Sequence, residues 1–333
     1  MDRMKRSLTI WIFILLVQPG WGQDERLSIV ASASMIADIA QNIVGDRHDI
    51  SMIVPIGGDP HLHEPTPSNA QMVAKADLIL INGLTFEGWI NELIENSGTK
   101  APVVTVTEGV DVLTSQTYLN SADPHAWMDA SNGIIYATNI TQALQKLDPE
   151  YASQYEARLV QYSKILEKLD AEIQEAILTI PEAQRILITS HDAFQYYGRK
   201  YGIRLEAIMG ISTEAEAQTS DIMRVNKVIK EQKVPAVFVE STINPKLIKQ
   251  LAADNKVSIG GSLYADSLGD EDSPASTYID MLRYNTNTIV SALSNTDKVS
   301  MENDTNKTNF RFILSLGIIL FLGLAITVYF FNK

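Results

Sequence analysis

Short apolar runs alternate with segments of helical periodicity along most of this chain, and this alternation restricts the fold more than any other feature. In the first half the predicted strands are 27–33, 49–54, 78–82 and 103–107, and the predicted helices are 35–44, 69–76 and one that begins near Glu87. A strand, a crossover helix and a second strand form a βαβ unit in which the strands run parallel. We therefore expect an α/β fold with a mostly parallel sheet.

A long helix interrupts the alternation in the middle of the chain. Its predicted N-cap is Asp148, Pro149 takes the first helical position, and Pro181 ends it. The apolar positions of its predicted buried stripe are Leu159, Ile165, Leu169, Ile173 and Ile177. Such a helix, on the order of 45 Å long at about 1.5 Å per residue, is expected to form a spine between two lobes.

The alternation restarts after this helix. The predicted strands of the second half are 185–190, 204–209, 236–240 and 257–262, and the predicted helices are 193–201, 217–231, 245–253 and 275–294. We therefore predict two Rossmann-like α/β lobes with mostly parallel sheets. The N-terminal lobe covers 23–147, the linker helix covers 148–180, and the C-terminal lobe covers 181–294.

The N-terminus predicts export. Basic residues at the start precede an apolar run at 8–17 and a short segment that ends at Gly22. This layout is typical of a signal peptide, which we assign to residues 1–22. An uncleaved N-terminal anchor is the alternative, but the apolar run is short for a membrane span.

The C-terminus predicts a membrane anchor. Segment 312–331 has no charged residue, lies between Arg311 and Lys333, and has the length of a transmembrane helix. A buried core helix is the alternative, although the segment has no polar face. We expect this helix to anchor the chain to the cytoplasmic membrane through a polar tether at 295–311, with the two lobes on the periplasmic or cell-surface side.

The composition excludes several classes of function. The chain has no cysteine, so it has no disulfides, no thiolate metal ligands and no site for the lipid anchor of an exported lipoprotein. A formal net charge of −13 argues against binding to nucleic acid or to an anionic lipid surface. The same charge weakly favours cationic ligands.

Histidines carry the strongest chemical signal. The chain has five of them, which are His48, His61, His63, His125 and His191, and two end the same tripeptide, Asp59-Pro60-His61 and Asp123-Pro124-His125. Proline stiffens each loop, and a nearby carboxylate can accept the other N–H of a ligating imidazole. The two tripeptides therefore favour metal ligation over the alternative of ordinary solvated loop histidines.

The positions of the candidate ligands agree with this interpretation. His61, His191 and Asp266 each come soon after a predicted strand, and ligands of open α/β sheets bind outside the carboxyl ends of the strands. His125 lies farther from its strand and is assigned to the same edge through the shared tripeptide. Three imidazoles and one carboxylate can hold a divalent cation in tetrahedral or five-coordinate geometry, and such a closed set favours binding over catalysis.

The two remaining histidines are not expected to be ligands. His63 is two residues from His61, but no second tripeptide matches it. His48 begins a predicted strand, and we expect it at the surface.

Five motifs occur in one order along residues 27–294. They are Gly58-Asp59-Pro60-His61 with Glu64-Pro65-Thr66-Pro67, then Asp123-Pro124-His125-Ala126-Trp127, Ser190-His191-Asp192-Ala193-Phe194, Ile211-Ser212-Thr213-Glu214-Ala215-Glu216, and Tyr264-Ala265-Asp266-Ser267-Leu268-Gly269. Together they resemble the cluster A-I metal-binding solute-binding proteins, the zinc and manganese receptors of ABC importers. Each motif is short, but the combination in this order is specific.

The resemblance implies a ligand set and a partner. His61 and His125 would bind the metal from the N-terminal lobe, and His191 and Asp266 from the C-terminal lobe. The linker helix would be rigid, and an ABC permease would receive the ion. Glu240 lies in a stretch that also resembles the family, but we interpret it as a structural acid at the end of a strand.

Two departures from the family bear on the metal. Zinc-specialised members often carry a histidine-rich loop, which is absent between Glu108 and Asp123, whereas manganese-preferring members often have Glu where His191 stands. Because zinc lies above manganese in the divalent affinity order for such ligands, we expect zinc, with manganese or iron as alternatives.

Two other functions stay open at this stage. One is a surface adhesin or structural ectodomain in which a fixed metal stabilises the fold. The other is a metal-dependent hydrolase, but the chain has no His-Glu-x-x-His helix motif and no Gly-x-Ser-x-Gly motif. We therefore expect a binding protein and not an enzyme.

Overall fold

The computed structural model describes residues 26–114 and 121–294. The predicted signal peptide, the polar tether and the predicted membrane helix at 312–331 lie outside the described residues. Within the described ranges, every helix is too short or too polar to cross a bilayer.

The N-terminal lobe is built on a parallel sheet of four strands with the order β2-β1-β3-β4. Its strands are β1 (Ser28–Ala31), β2 (Asp49–Met52), β3 (Leu78–Ile81) and β4 (Val103–Thr105), and its helices are α1 (Ser34–Val44), α2 (Pro67–Ala74) and α3 (Ile90–Ser97). The central strand β3 is buried throughout, because helices cover both faces of a parallel sheet. The predicted α/β fold with parallel sheets is confirmed here.

The C-terminal lobe is also α/β, but its described strands form two two-stranded parallel sheets. Strands β5 (Ile186–Thr189) and β6 (Arg204–Ala207) pair in parallel, as do β7 (Ala236–Glu240) and β8 (Ser258–Leu263), and β5 lies beside β7. The helices of this lobe are α6 (Gln195–Tyr201), α7 (Thr219–Gln232), α8 (Lys246–Asn255) and α9 (Tyr278–Ser294).

Two long helices connect the lobes, and the sequence pattern predicted only the second of them. Helix α4 (Ala130–Leu147) begins at Asp129, whose carboxylate caps the N–H of Ser131, and it packs along α5 (Ala152–Leu178). Its buried face includes small and polar residues such as Asn132, Gly133 and Thr141. Tyr136, Ile140 and Leu144 of the same face have helical spacing, so this helix could have been predicted from the pattern.

The start and the buried stripe of α5 differ from the prediction. A 3-10 turn at Pro149–Tyr151 precedes the helix, and Asp148 makes no capping hydrogen bond. Ile165 is 41% exposed, because the stripe runs through neighbouring positions instead. The buried residues of α5 are Tyr155, Tyr162, Leu166, Leu169, Ile173 and Ile177.

His48 is buried, so its predicted surface position was wrong. The backbone N–H of Leu27 donates to its Nδ1 at 3.1 Å, and its Nε2 lies 3.1 Å from Oδ2 of Asp148. Tyr155 donates its hydroxyl to the same Asp148 oxygen at 2.6 Å, and Arg47 donates to it at 3.0 Å. Because Asp148 accepts hydrogen bonds from these groups, it serves the α4–α5 turn as a part-buried acceptor and not as a helix cap.

One apolar core runs through both lobes along α5. Leu166 and Ile173 belong to the same cluster as Ile29 of β1 and Leu263 of β8. Helix α5 contacts α1 on the N-terminal side and α9 on the C-terminal side. The sheets of both lobes are therefore held against a common helix, and the loops of the two lobes face each other across the boundary.

Candidate metal centre

Four side chains meet where the loops of the two lobes face each other. His61 lies on the loop after β2, and His125 directly precedes a 3-10 turn at Ala126–Met128. His191 follows β5 and Asp266 follows β8. The structure brings together all four residues that the sequence analysis singled out, and each is at most 5% exposed.

The donor atoms of these four residues fit a small cation. One donor atom from each lies within 4.8 Å of those from the other three. Nε2 of His61 is 3.4 Å from Nε2 of His125, which is 3.4 Å from Oδ1 of Asp266. Nε2 of His191 is 3.1 Å from Oδ2 of Asp266. Donors bound about 2.0–2.1 Å from a tetrahedral ion are roughly 3.4 Å apart, and the three distances above are close to that value.

Carboxylates contact two of the three imidazoles at Nδ1, on the side of the ring away from the cluster. Oδ1 of Asp123 accepts the backbone N–H of His125 at 2.9 Å and lies 2.8 Å from its Nδ1. Oε1 of Glu240 accepts the backbone N–H of His191 at 2.9 Å, while its Oε2 lies 2.5 Å from Nδ1 of that ring. Both contacts leave Nε2 of the histidine facing the cluster.

Sequence reasoning missed the contact of Glu240, which we had interpreted as a structural acid. Glu240 ends β7, and β7 lies beside β5, the strand that precedes His191. The carboxyl ends of neighbouring parallel strands meet at one sheet edge, so the strand-end position was the available signal. The order of these strands, which decides the contact, could not be obtained from local periodicity.

Both Asp-Pro-His tripeptides adopt the same local structure. In each, the aspartate accepts the backbone N–H of the histidine two residues later, at 2.9 Å for His61 from Asp59. This Asx-type bond stiffens the loop. Asp123 also reaches the ring of its histidine, whereas Asp59 instead accepts the hydroxyl of Thr213 from the other lobe at 2.7 Å.

Further hydrogen bonds fasten the Asp266 loop to the N-terminal lobe. Ser267 accepts the backbone N–H of Gly57 at 2.8 Å, and Ser34 accepts the N–H of Leu268 at 2.9 Å. The indole of Trp127 donates to the carbonyl of Ala265 at 3.0 Å. Residues close in sequence to His61, His125 and Asp266 therefore form hydrogen bonds across the lobe boundary.

Burial and neighbouring charges shift the pKa values of all four side chains. Burial lowers the pKa of His61 to about 3. Burial also opposes the charge of His125, but its bonds to Asp123 and Asp266 outweigh burial and raise its pKa to about 9. For His191, burial is likewise outweighed by Glu240 and Asp266, so its pKa is raised. Burial acts to raise the pKa of Asp266, but the neighbouring His191 and His125 lower it overall.

His63 does not join the cluster. Its Nε2 lies 3.3 Å from Oδ1 of Asn69, and its ring packs on Trp89 with 4.8 Å between centroids. Trp89 in turn donates to the carbonyl of Pro60 at 2.8 Å. His63 thus belongs to the N-terminal packing behind the His61 loop.

Comparison with known proteins gives a consistent result. Residues 29–292 match the family model described as zinc-uptake complex component A, periplasmic. The chain is 39% identical over 270 residues to the manganese-binding lipoprotein MntA of Halalkalibacterium halodurans, covering 81% of this chain and 89% of that protein. It is 36% identical over 278 residues to the manganese ABC transporter substrate-binding lipoprotein PsaA of Streptococcus pneumoniae, covering 81% and 90%.

A solved structure shows the same fold. The periplasmic zinc-binding protein TroA of Treponema pallidum superposes with a TM-score of 0.78 at 32% identity. The match covers 81% of this chain and 100% of that one.

Proposed function

We propose that this chain, which belongs to the family of the periplasmic zinc-uptake complex component A, captures a divalent metal ion between its lobes and delivers it to an ABC importer permease. The names of its relatives support this role, since they describe manganese-binding and zinc-binding proteins and components of an ABC transporter. The ion is cargo, so the protein must bind it and release it while folded.

One observation carries the proposal. His61 and His125 from one lobe and His191 and Asp266 from the other converge, and one donor atom from each lies within 4.8 Å of those from the other three. The polar atoms that lie near the buried Asp266 carboxylate are ring nitrogens of the other candidate ligands, Nε2 of His191 at 3.1 Å and Nε2 of His125 at 3.4 Å. A cation bound at this point would satisfy Asp266 and tie the lobes together.

Zinc is the metal that this ligand set favours. Three imidazoles and one carboxylate match the ligands and the coordination number of zinc sites, and zinc lies above manganese in the affinity order. Relatives named for manganese make manganese the main competitor, with ferrous iron as the third candidate.

We further propose how the loaded state differs from the empty one. The ion takes the place of protons held by His125 and His191 and binds donors from both lobes. Binding therefore stabilises the arrangement in which the lobes are closed on each other, and the permease would recognise that arrangement. Small movements of the loops at the lobe boundary are sufficient for loading and release, because α5 packs on both lobes.

The attachment to the membrane is part of the same proposal. Segment 312–331 would anchor the exported chain, and 295–311 would tether the lobes near the permease. MntA and PsaA are named as lipoproteins, but this chain has no cysteine to carry a lipid. A terminal helix would replace the lipid.

Metal analysis of the purified full-length chain tests the proposal. We expect one zinc ion per chain, displaced by manganese or ferrous iron only at large excess. His125→Ala should lose this ion, whereas His63→Ala, the matched control outside the cluster, should keep it. A chelator should remove the ion without unfolding the protein, because a transport receptor releases its cargo in the folded state. An ion that leaves only on unfolding would instead indicate a fixed structural metal.

A further inference from the structure

Glu240 lies at the carboxyl end of β7 and is buried, with 2% of its surface exposed. Its Oε2 lies 2.5 Å from Nδ1 of His191, and its Oε1 accepts the backbone N–H of the same residue. The carboxylate of Glu240 therefore contacts both the main chain and the ring of His191.

A second buried glutamate shows what a purely structural carboxylate looks like in this fold. Glu87 accepts the hydroxyl of Ser32 and the backbone N–H groups of Asn82 and Gly83, at 2.5, 2.8 and 3.1 Å. These neutral donors belong to the packing of the N-terminal lobe. Oε2 of Glu240 has no such donor among the described residues, and its close neighbour is the imidazole.

The histidines also differ from one another. His125 has Asp123 and His191 has Glu240 at the Nδ1 side of the ring. His61 has no carboxylate there among the described residues, and the edge of its ring packs on Phe86. Of the two held rings, that of His191 is in closer contact with its carboxylate.

We propose that Glu240 is a positioning residue that keeps the proton of His191 on Nδ1, aims Nε2 at the metal, and makes this nitrogen a stronger donor. This inference rests on the proposed metal-binding function. A carboxylate behind an imidazole fixes its orientation and increases its basicity toward the metal. A more basic imidazole increases the affinity more for an ion that binds nitrogen strongly, so Glu240 would favour zinc over manganese at this site.

Variants of Glu240 separate orientation from charge. Glu240→Gln keeps the size and an acceptor oxygen but removes the charge, whereas Glu240→Ala removes both. We expect Glu240→Gln to weaken zinc binding by about 10-fold to 100-fold and to lower the ratio of zinc to manganese affinity, with Glu240→Ala weaker still. The visible absorption of the cobalt-loaded protein should change in both variants, because the geometry of the His191 ligand changes.

Glu87→Gln is the matched control, since it makes the same change at a buried glutamate that touches no histidine. It should alter thermal stability and leave zinc affinity within about twofold of wild type. If both Glu240 variants keep wild-type affinity, metal ratio and cobalt spectrum, the assignment is wrong.

A measurement on the wild-type chain covers the case in which the variants do not fold. Nitrogen-15 NMR of the zinc-loaded protein should show His191 with a proton on Nδ1 and zinc on Nε2, and the reverse pattern overturns the proposal. His125→Ala separates the two failures. If that variant binds zinc like wild type, the metal site itself is wrong, whereas loss of binding there with unchanged Glu240 variants rejects only the role of Glu240.

Discussion

Nε2 of His125 lies 3.4 Å from Oδ1 of Asp266, and these two atoms belong to different lobes. Both residues are almost fully buried, so the contact is shielded from solvent. An ion between them replaces an interaction of two side chains with bonds that span the lobe boundary. Metal occupancy and the closeness of the lobes should therefore be linked.

The first prediction concerns thermal stability. At free zinc about 1,000-fold above the dissociation constant, the metal should stabilise the folded state by about 4 kcal/mol, because it binds the folded chain alone. Differential scanning calorimetry with and without zinc measures the shift. Zinc should not raise the melting temperature of Asp266→Asn by a comparable amount, whereas His63→Ala should respond like wild type.

The second prediction concerns metal release. Thr213 donates to Asp59, which in turn holds the backbone of His61. Thr213→Val removes this donor from the part-buried Asp59 carboxylate, and the loss of a hydrogen bond to a charged group costs about 1–2 kcal/mol. Zinc transfer to a chelator should therefore become roughly 5-fold to 30-fold faster. Thr213→Ser keeps the hydroxyl and serves as the control, and an unchanged rate in Thr213→Val would show that the bond does not restrain the His61 loop.

The third prediction concerns pH. Burial raises the pKa of Asp38 to about 6, against the effect of the backbone N–H of Tyr278, which donates to it at 3.0 Å. A carboxyl with a raised pKa favours folding in its protonated form, so its charge lowers stability above about pH 6, and this cost fades between pH 6 and 4.

Asp38→Asn keeps an acceptor for Tyr278 without the charge. It should stabilise the metal-free protein at pH 7.5, by up to about 3 kcal/mol, and by much less at pH 4.5. Urea unfolding of both proteins at the two pH values measures the difference. A difference that stays equal at both values would contradict the assignment.

The fourth prediction separates stability from binding. The hydroxyl of Tyr155 contacts both Asp148 and Nε2 of His48, in a cluster that ties β2 to the α4–α5 turn. Tyr155→Phe should cost about 1–3 kcal/mol of unfolding free energy, since it removes a hydroxyl donor from the charged carboxylate of Asp148. Zinc affinity should not change, because the cluster lies away from the four candidate ligands. Equilibrium unfolding and zinc titration of the same sample check both statements.

Much of the fold could be predicted from periodicity. All eight strands of residues 26–114 and 121–294 were anticipated, because short apolar runs between helical segments are characteristic of parallel sheets. Helix α4 was not predicted, although Tyr136, Ile140 and Leu144 have helical spacing. Ile165 was predicted on the buried face of α5 and is exposed, because a spacing of four residues drifts around a long helix.

The sequence by itself was sufficient to predict the candidate ligands of the centre. A repeated tripeptide and the ends of predicted strands pointed to His61, His125, His191 and Asp266, since both signals are local. Their role as ligands stays a prediction that the experiments above test.

Only the tertiary structure decided how those residues are supported. The contact of Glu240 with His191 depends on β7 lying beside β5, the bond from Thr213 to Asp59 on two lobes meeting, and the burial of His48 on the turn after α4. These partners are far apart along the chain, and the packing of a shared core brings them together. Local periodicity records which face of a segment is apolar but not which distant group it will meet.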